Sequence, residues 1–285
     1  MPKDTNISPL TQLMRRIDAR ADGAPPSDAV QTGFPSVDRI LGGGLRIGDL
    51  VVLGGDVGSG KSALALGITV RAALAGDRAV FYSGEMTTDR VHERMLAIQG
   101  RARIDDIRRG SLDDITRAGL GAATLALRDL PPLTDRLPDS VDAVREAVRQ
   151  SAGARLVVVD PIQSLAAGRL PLDEELSATV RGLKRLATDL EVVVFATAHL
   201  PGLTRDRVDQ RPTVDDFGAL HAVKQHADVV LGLFREEMYA TGQGGGVEGA
   251  TELHVLKNRS GPTGYVDLYF YKQWMRFEDL LDPGG

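Results

Sequence analysis

The sequence predicts an α/β protein built on a mainly parallel central sheet flanked by helices. Three observations carry that prediction. Short Val-rich runs alternate with longer helical stretches from Thr32 onward, one of those runs feeds a glycine-rich phosphate-binding pattern, and the last segment changes to an antiparallel rhythm.

The strand candidates are Asp49–Leu53, Ala79–Tyr82, Arg155–Val159, Val192–Thr197 and Asp228–Leu233. Each is short and apolar throughout instead of alternating, as strands covered on both faces must be. The helical stretches between them are Ser62–Ala75, Thr88–Gln99, Ser140–Ser151 and Glu174–Thr188. Strand–helix alternation with right-handed crossovers winds such a sheet with helices on both sides. From Thr251 to Phe277 the chain reads instead as antiparallel strands reversed at SGPTG, and GQGGG at 242–246 reads as a mobile loop.

Residues 1–30 differ from the rest. Apolar residues at Ile7, Leu10, Leu13, Met14 and Ile17 have helical spacing, and ADGAPPSDAVQ then reads as a flexible tether. Such a helix either folds back on its own domain or packs on a neighbouring subunit. Residues 31–282 form the main domain.

Bulk composition excludes several classes. The 285 residues suffice for one large domain and a short appendage. The formal net charge of -5 argues against a surface coated in nucleic-acid-binding charge, though not against a few basic loops. With no cysteine, disulfides and thiolate metal sites are absent. No apolar run approaches the roughly 20 residues that span a bilayer, and MPKDTNISPL lacks a secretory core. A cytoplasmic protein with no membrane partner is expected.

Gly55-Asp-Val-Gly58-Ser59-Gly60-Lys61-Ser62 matches the phosphate-loop pattern G-x-x-x-x-G-K-[ST] at every fixed position. A strand enters it and an Ala/Leu-rich helix leaves it. Its glycines let backbone N–H groups face the phosphates of ATP at the helix amino terminus. Lys61 would reach the β- and γ-phosphates, and Ser62 would offer its hydroxyl to Mg²⁺. Asp160 ends the run RLVVVD at the carboxyl edge of the sheet, where a carboxylate can help hold Mg²⁺ through water. Glu85, following the next strand, either activates the attacking water or caps the helix after Thr87–Thr88.

TGFPSVDRILGGGL, SGEM, VVVDPIQSL, KQHADVVLGLFREEMY and LKNRSGPTG together resemble the ATPase domain of DnaB-type replicative helicases over roughly residues 30–280. The first of these is shared with RadA and KaiC proteins; the pair ADVVLGLFR and K-x-R-x-G-P-x-G is more diagnostic. The resemblance implies a RecA-like fold, ATP with Mg²⁺, single-stranded DNA as partner, and a homo-oligomeric, hexameric ring served by a helicase loader. It assigns the catalytic acid to Glu85 and a second acidic motif to Asp160. Lys257 and Arg259 match the K-x-R pair that enters the neighbouring subunit's ATP site. The amino-terminal helix matches the family's linker helix, while the collar domain that precedes it in the family has no counterpart within this sequence.

Departures from the family pattern accompany the match. His199 stands where bacterial members usually carry Gln; either can hydrogen-bond a γ-phosphate. The DNA loops are HLPGLTRDRVDQRP and DDFGALHAVKQ. Gly218 and Ala219 replace the usual Arg-Glu pair, and Pro201 and Gly202 stand where polar and basic residues are common. DNA contacts are expected from Arg205, Arg207 and the backbone of Gly218, Ala219 and His221. Two rival readings remain at this level: a RadA/KaiC-like recombination factor or switch, and a ring held together by ATP without catalysis. Single-strand binding with a steep salt dependence separates the motor from both.

Overall fold

The computed structural model describes residues 8–24, 27–131, 133–151, 153–201, 203, 207–239 and 246–280. Arg205 and Gly202 lie outside the described residues, as do Ile7, Pro25–Pro26 of the tether and most of the GQGGG loop.

The chain opens with helix α1 (Pro9–Ala21), capped by Ser8, whose hydroxyl accepts from the Thr11 N–H. Its apolar residues Leu10, Leu13, Met14 and Ile17 share one face, and none is buried. Among the described residues nothing buries this face. A small ladder, β1 (Ala29–Val30) against β2 (Leu45–Arg46), then frames helix α2 (Pro35–Ile40).

The main element is a nine-stranded sheet. Its strands in chain order are β3 (Leu50–Gly55), β4 (Ala79–Ser83), β5 (Thr134–Arg136), β6 (Leu156–Asp160), β7 (Val193–His199), β8 (Val229–Phe234), β9 (Ala250–Asn258), β10 (Gly264–Tyr271) and β11 (Arg276–Asp279). Across the sheet they run β11-β10-β9-β8-β3-β7-β6-β4-β5, parallel from β8 to β5 and antiparallel from β8 to β11. All five predicted parallel strands are present and completely buried except for His199 at the end of β7. The carboxy-terminal hairpin also forms as expected. Strand β5 is an addition: a short polar edge segment that no apolar run announces.

Alternation on the strands divides the core in two. On β3, Val51 and Leu53 face a cluster that includes Leu64 and Ile68 of α3 (Lys61–Leu74) and Val91 and Met95 of α4 (Thr88–Gly100). Leu50 and Val52 face the opposite cluster. There α7 (Val141–Gln150) contributes Val144 and Val148, and α8 (Leu172–Leu190) contributes Leu176, Val180, Leu183 and Leu186. Two further helices, α5 (Ile104–Arg109) and α6 (Asp114–Arg128), follow α4, and α9 (Ala222–His226) leads into β8.

Candidate functional site

Four strand ends converge at the carboxyl edge of the sheet. Gly55 at the end of β3 lies in register with His199 at the end of β7, and Ser83 of β4 with Asp160 of β6. Crossover connections carry the chain away at this edge, so polar side chains can gather there without interrupting the ladder. A cavity of about 510 Å³ opens above it, lined among others by Gly58, Gly60, Lys61, Ser62, Glu85, Asp160 and His199.

The phosphate loop connects β3 to α3. Gly60 is the residue before the helix and has φ +105°, a conformation that any β-carbon would strain. That β-carbon would also lie 2.9 Å from the Phe277 ring. Lys61 is buried and donates from Nζ to the Gly55 and Asp56 carbonyls at 3.0 and 2.9 Å. Burial pulls its ammonium below the ordinary lysine range, while Asp160, Asp56 and Glu85 oppose that shift. From beneath, the buried Arg235 guanidinium donates to the Gly58 and Ser59 carbonyls at 3.2 and 3.4 Å. Arg235 is itself fixed by Glu237, which also pairs with Lys272 at 2.7 Å.

Asp160 is almost fully buried. Its Oδ1 accepts from the Ser62 hydroxyl at 3.0 Å and the Thr197 hydroxyl at 2.5 Å. Burial pushes the carboxyl up from its ordinary value, and these two hydroxyls hold it back. A hydroxyl and a carboxylate side by side form a hard oxygen set. Among the described residues no group of three or more acidic, His or Cys side chains could cage a metal. The Ser62–Asp160 oxygen pair suits Mg²⁺, which takes one or two protein oxygens and completes its shell with water and phosphate.

Glu85 and His199 face each other at the mouth, with His199 Nε2 3.3 Å from Glu85 Oε1. The His199 N–H donates to Gln163 Oε1 at 3.2 Å. The Thr87 hydroxyl caps α4 by accepting from Arg90 N–H, so Glu85 is not needed as the cap. Arg94, further along α4, also lines the cavity. Burial lowers its guanidinium pKa, opposed first by the charge of Asp160. Thr197, Arg94, Arg235 and Lys272 are lining residues that sequence reading missed.

The K-x-R pair sits elsewhere. An irregularity in the β8–β9 ladder pairs Val230 with Lys257 but Leu231 with Val255, leaving Leu256 as the extra residue. Lys257 Nζ donates to the carbonyls of Lys224 and Ala227 at 2.8 and 2.6 Å. Arg259 N–H donates to the Asp228 carbonyl at 2.8 Å. Asp228 immediately precedes β8 and accepts from Leu50, the first residue of β3. Lys257 and Arg259 thus lie at the amino edge of the sheet. They stand roughly 17 Å along the strands from their own phosphate loop, at about 3.3 Å per residue.

The segments expected to contact DNA are described in part. Arg207, expected to face DNA, instead donates to both oxygens of the buried Asp216 at 2.8 and 3.0 Å, and to the Asp209 carbonyl at 2.5 Å. Its fork is engaged within the protein. Ala219 is buried, and its N–H donates to Asp173 Oδ1 at 2.9 Å. Gly218, Ala219, Leu220 and His221 all have positive φ, between +48° and +62°. For three residues with side chains this is a strained run of the kind that gathers at functional loops. Leu220 and His221 are the exposed members of it.

A phosphate loop opening a helix, with acidic and sensor-like side chains gathered at the carboxyl edge of a mainly parallel sheet, defines a RecA-like P-loop nucleotide-binding domain. The chain belongs to the DnaB-like helicase C-terminal domain family, whose model matches residues 29–279. It is 30% identical over 278 residues to the replicative DNA helicase DnaB of Leifsonia xyli subsp. xyli, covering 95% of this chain and 60% of that protein. The corresponding protein of Geobacillus stearothermophilus is 29% identical over 280 residues, covering 94% and 59%. The chain thus spans about three-fifths of the length of these curated relatives. Among solved structures, a DnaB-like replicative helicase described with its interactions with primase superposes with TM-score 0.85 at 26% identity, covering 98% of this chain and 68% of that one. A second solved structure, itself an ATPase domain, superposes with TM-score 0.86 at 24% identity, covering 98% and 100%, and shares the fold. Both of these relatives are named replicative DNA helicase DnaB, and neither is a RadA or KaiC protein.

Proposed function

We propose that this protein is a ring-forming, ATP-hydrolysing translocase of the DnaB type that moves on single-stranded DNA and separates strands. The observation that carries this reading is the separation of Lys257 and Arg259 from the cavity that holds Lys61, Ser62, Glu85, Asp160 and His199. The two halves are complementary, but one chain cannot bring them together. Cyclic assembly puts the amino edge of one subunit against the cavity of the next. A hexameric ring is the assembly proposed.

In that assembly the loop N–H groups and Lys61 bind the β- and γ-phosphates. Bound Mg²⁺, held by Ser62 directly and by Asp160 through water, would neutralise phosphate charge. Glu85 orients the water and takes its proton as the water oxygen bonds to the γ-phosphorus and the bond to the ADP oxygen breaks. Arg259 and Lys257 of the neighbour stabilise the charge spread over the transferring group. His199 reports loss of the γ-phosphate to the loop that follows it.

The exposed apolar face of α1 suits docking on an adjacent subunit, with residues 1–30 as linker and 31–282 as the RecA-like domain. DNA contacts are assigned to the 218–221 segment, and Arg205 is the basic candidate outside the described residues. A cytoplasmic setting and a loader partner complete the reading.

The test is the steady-state ATPase rate with and without single-stranded DNA, beside Arg259→Ala. Strong stimulation by DNA, lost in the variant, is the expected result. A slow rate indifferent to DNA, from a ring that still forms, overturns it.

A further inference from the structure

We infer that Asp228 is the positioning residue for Arg259, and this rests on the trans reading above. Asp228 is buried, with only 4% of its side chain exposed. Its Oδ2 accepts from the Leu50 N–H at 2.9 Å and from Lys184 Nζ at 2.5 Å. Its Oδ1 lies 2.7 Å from Arg259 Nε, and its backbone carbonyl accepts from the Arg259 N–H. Side chain and backbone of Arg259 are therefore fastened to one residue.

The geometry of the fork decides what this does. The ion pair is closest at Nε, so it takes up one side of the guanidinium and leaves the outer end, between the two terminal nitrogens, for another anion. Among the described residues neither terminal nitrogen makes a hydrogen bond, and the side chain is 56% exposed. A free arginine samples many rotamers, and each must be abandoned before it can meet a phosphate. Asp228 removes part of that freedom in advance, which is how a group delivered across an interface gains rate.

The anchor is also placed on a rigid part of the molecule. Leu50 begins β3, the strand that ends in the phosphate loop, and Lys184 belongs to α8. The arginine presented to the next subunit is thereby tied to the strand that carries this subunit's own nucleotide loop. A buried carboxylate without partners is strongly unfavourable, so two cations and an amide around Asp228 are what permit a charged anchor there.

The test is Asp228→Asn, which keeps the shape and an acceptor for Leu50 but removes the charge that holds the guanidinium. The expected result is a fall of about 10²-fold in kcat of DNA-stimulated hydrolysis, with KM for ATP changed less than about threefold. The double variant with Arg259→Ala is expected to be no slower than Arg259→Ala alone, because the two residues act as one unit. Unchanged kcat in Asp228→Asn, or losses that multiply in the double variant, overturn the inference. Should Asp228→Asn fail to fold, Arg259→Lys decides. Lysine keeps the charge but has one nitrogen in place of the fork, so it cannot hold Asp228 on one edge while presenting another to a phosphate; a loss matching Arg259→Ala is expected, and near-native kcat overturns the inference. If Arg259→Ala itself leaves the rate intact, the trans reading fails instead.

Discussion

His199 Nε2 stands 3.3 Å from Glu85 Oε1 across the mouth of the phosphate cavity. The pair joins the ends of β7 and β4, two strands that are not neighbours in the sheet. On the proposed reading Glu85 orients the attacking water and His199 contacts the γ-phosphate. Glu85→Gln is expected to lower kcat by about 10²- to 10⁴-fold, the usual contribution of a positioned base. Nucleotide affinity should change little. Equilibrium binding of a labelled nucleotide beside the hydrolysis rate checks both, and equal losses in binding and rate would remove Glu85 from the base role.

His199 should behave differently. Its backbone N–H donates to Gln163 Oε1, which fixes the end of β7 just before Leu200. His199→Ala is expected to lower the DNA-stimulated rate more than the basal rate. His199→Gln should keep most of the stimulation, because its amide can still hydrogen-bond phosphate. The ratio of stimulated to basal rate is the measurement; an unchanged ratio in His199→Ala sinks the sensor role.

Arg94 offers a cation to the same cavity from α4. Charge-assisted hydrogen bonds to a phosphate contribute about 1.5–3 kcal/mol, so Arg94→Ala should weaken ATP binding by about tenfold or more. Titration of the nucleotide into the variant reads this directly. Native affinity would place Arg94 outside the nucleotide's reach.

Much of this architecture was legible in the sequence because burial on both faces leaves a plain trace. The runs that became β3, β4, β6, β7 and β8 could hardly be polar and remain central. Strand β5 left no such trace: two of its three residues are exposed. Helix α6 likewise buries only Ala123, and its stripe gives little to read. At the site, Lys61, Ser62 and Asp160 follow from a motif and a strand end, whereas Thr197 and Arg94 are single polar residues with no diagnostic spacing. Arg207 shows the converse limit. A basic residue in a loop looks available until the fold brings Asp216 against it.

Asp49 sets a pH dependence near the Arg259 anchor. Burial first, and the Asp228 charge second, raise its pKa to about 6, against the pull of Lys184, Arg46 and Arg259. In the unfolded chain the group titrates near about 4. Between those values the folded state holds the proton and the unfolded state does not. The stabilising contribution of Asp49 is therefore full below about pH 4, falls as pH rises through about 6, and is constant above. Denaturant unfolding of the protein and of Asp49→Asn from pH 5 to 8 should show the native chain losing more stability than the variant. Parallel curves would rule out the shift.

The strained turn at Gly218 makes a final prediction. Its φ of +62° and ψ of −133° lie where only glycine is comfortable. An added β-carbon would stand 3.1 Å from Asp173 Oδ1, the atom that accepts from the Ala219 N–H. Gly218→Ala should therefore cost about 1–3 kcal/mol of stability, from backbone strain and from disturbing that hydrogen bond. Gly218→Arg should carry the same strain but add a cation beside the exposed Leu220–His221 tip. If that tip lies on the DNA path, the slope of log affinity against log salt should steepen by about 0.7 in the arginine variant alone. An equal slope in both variants would show that the segment 218–221 does not touch the phosphate backbone. A Gly218→Ala protein of native stability would show that the turn relaxes without cost.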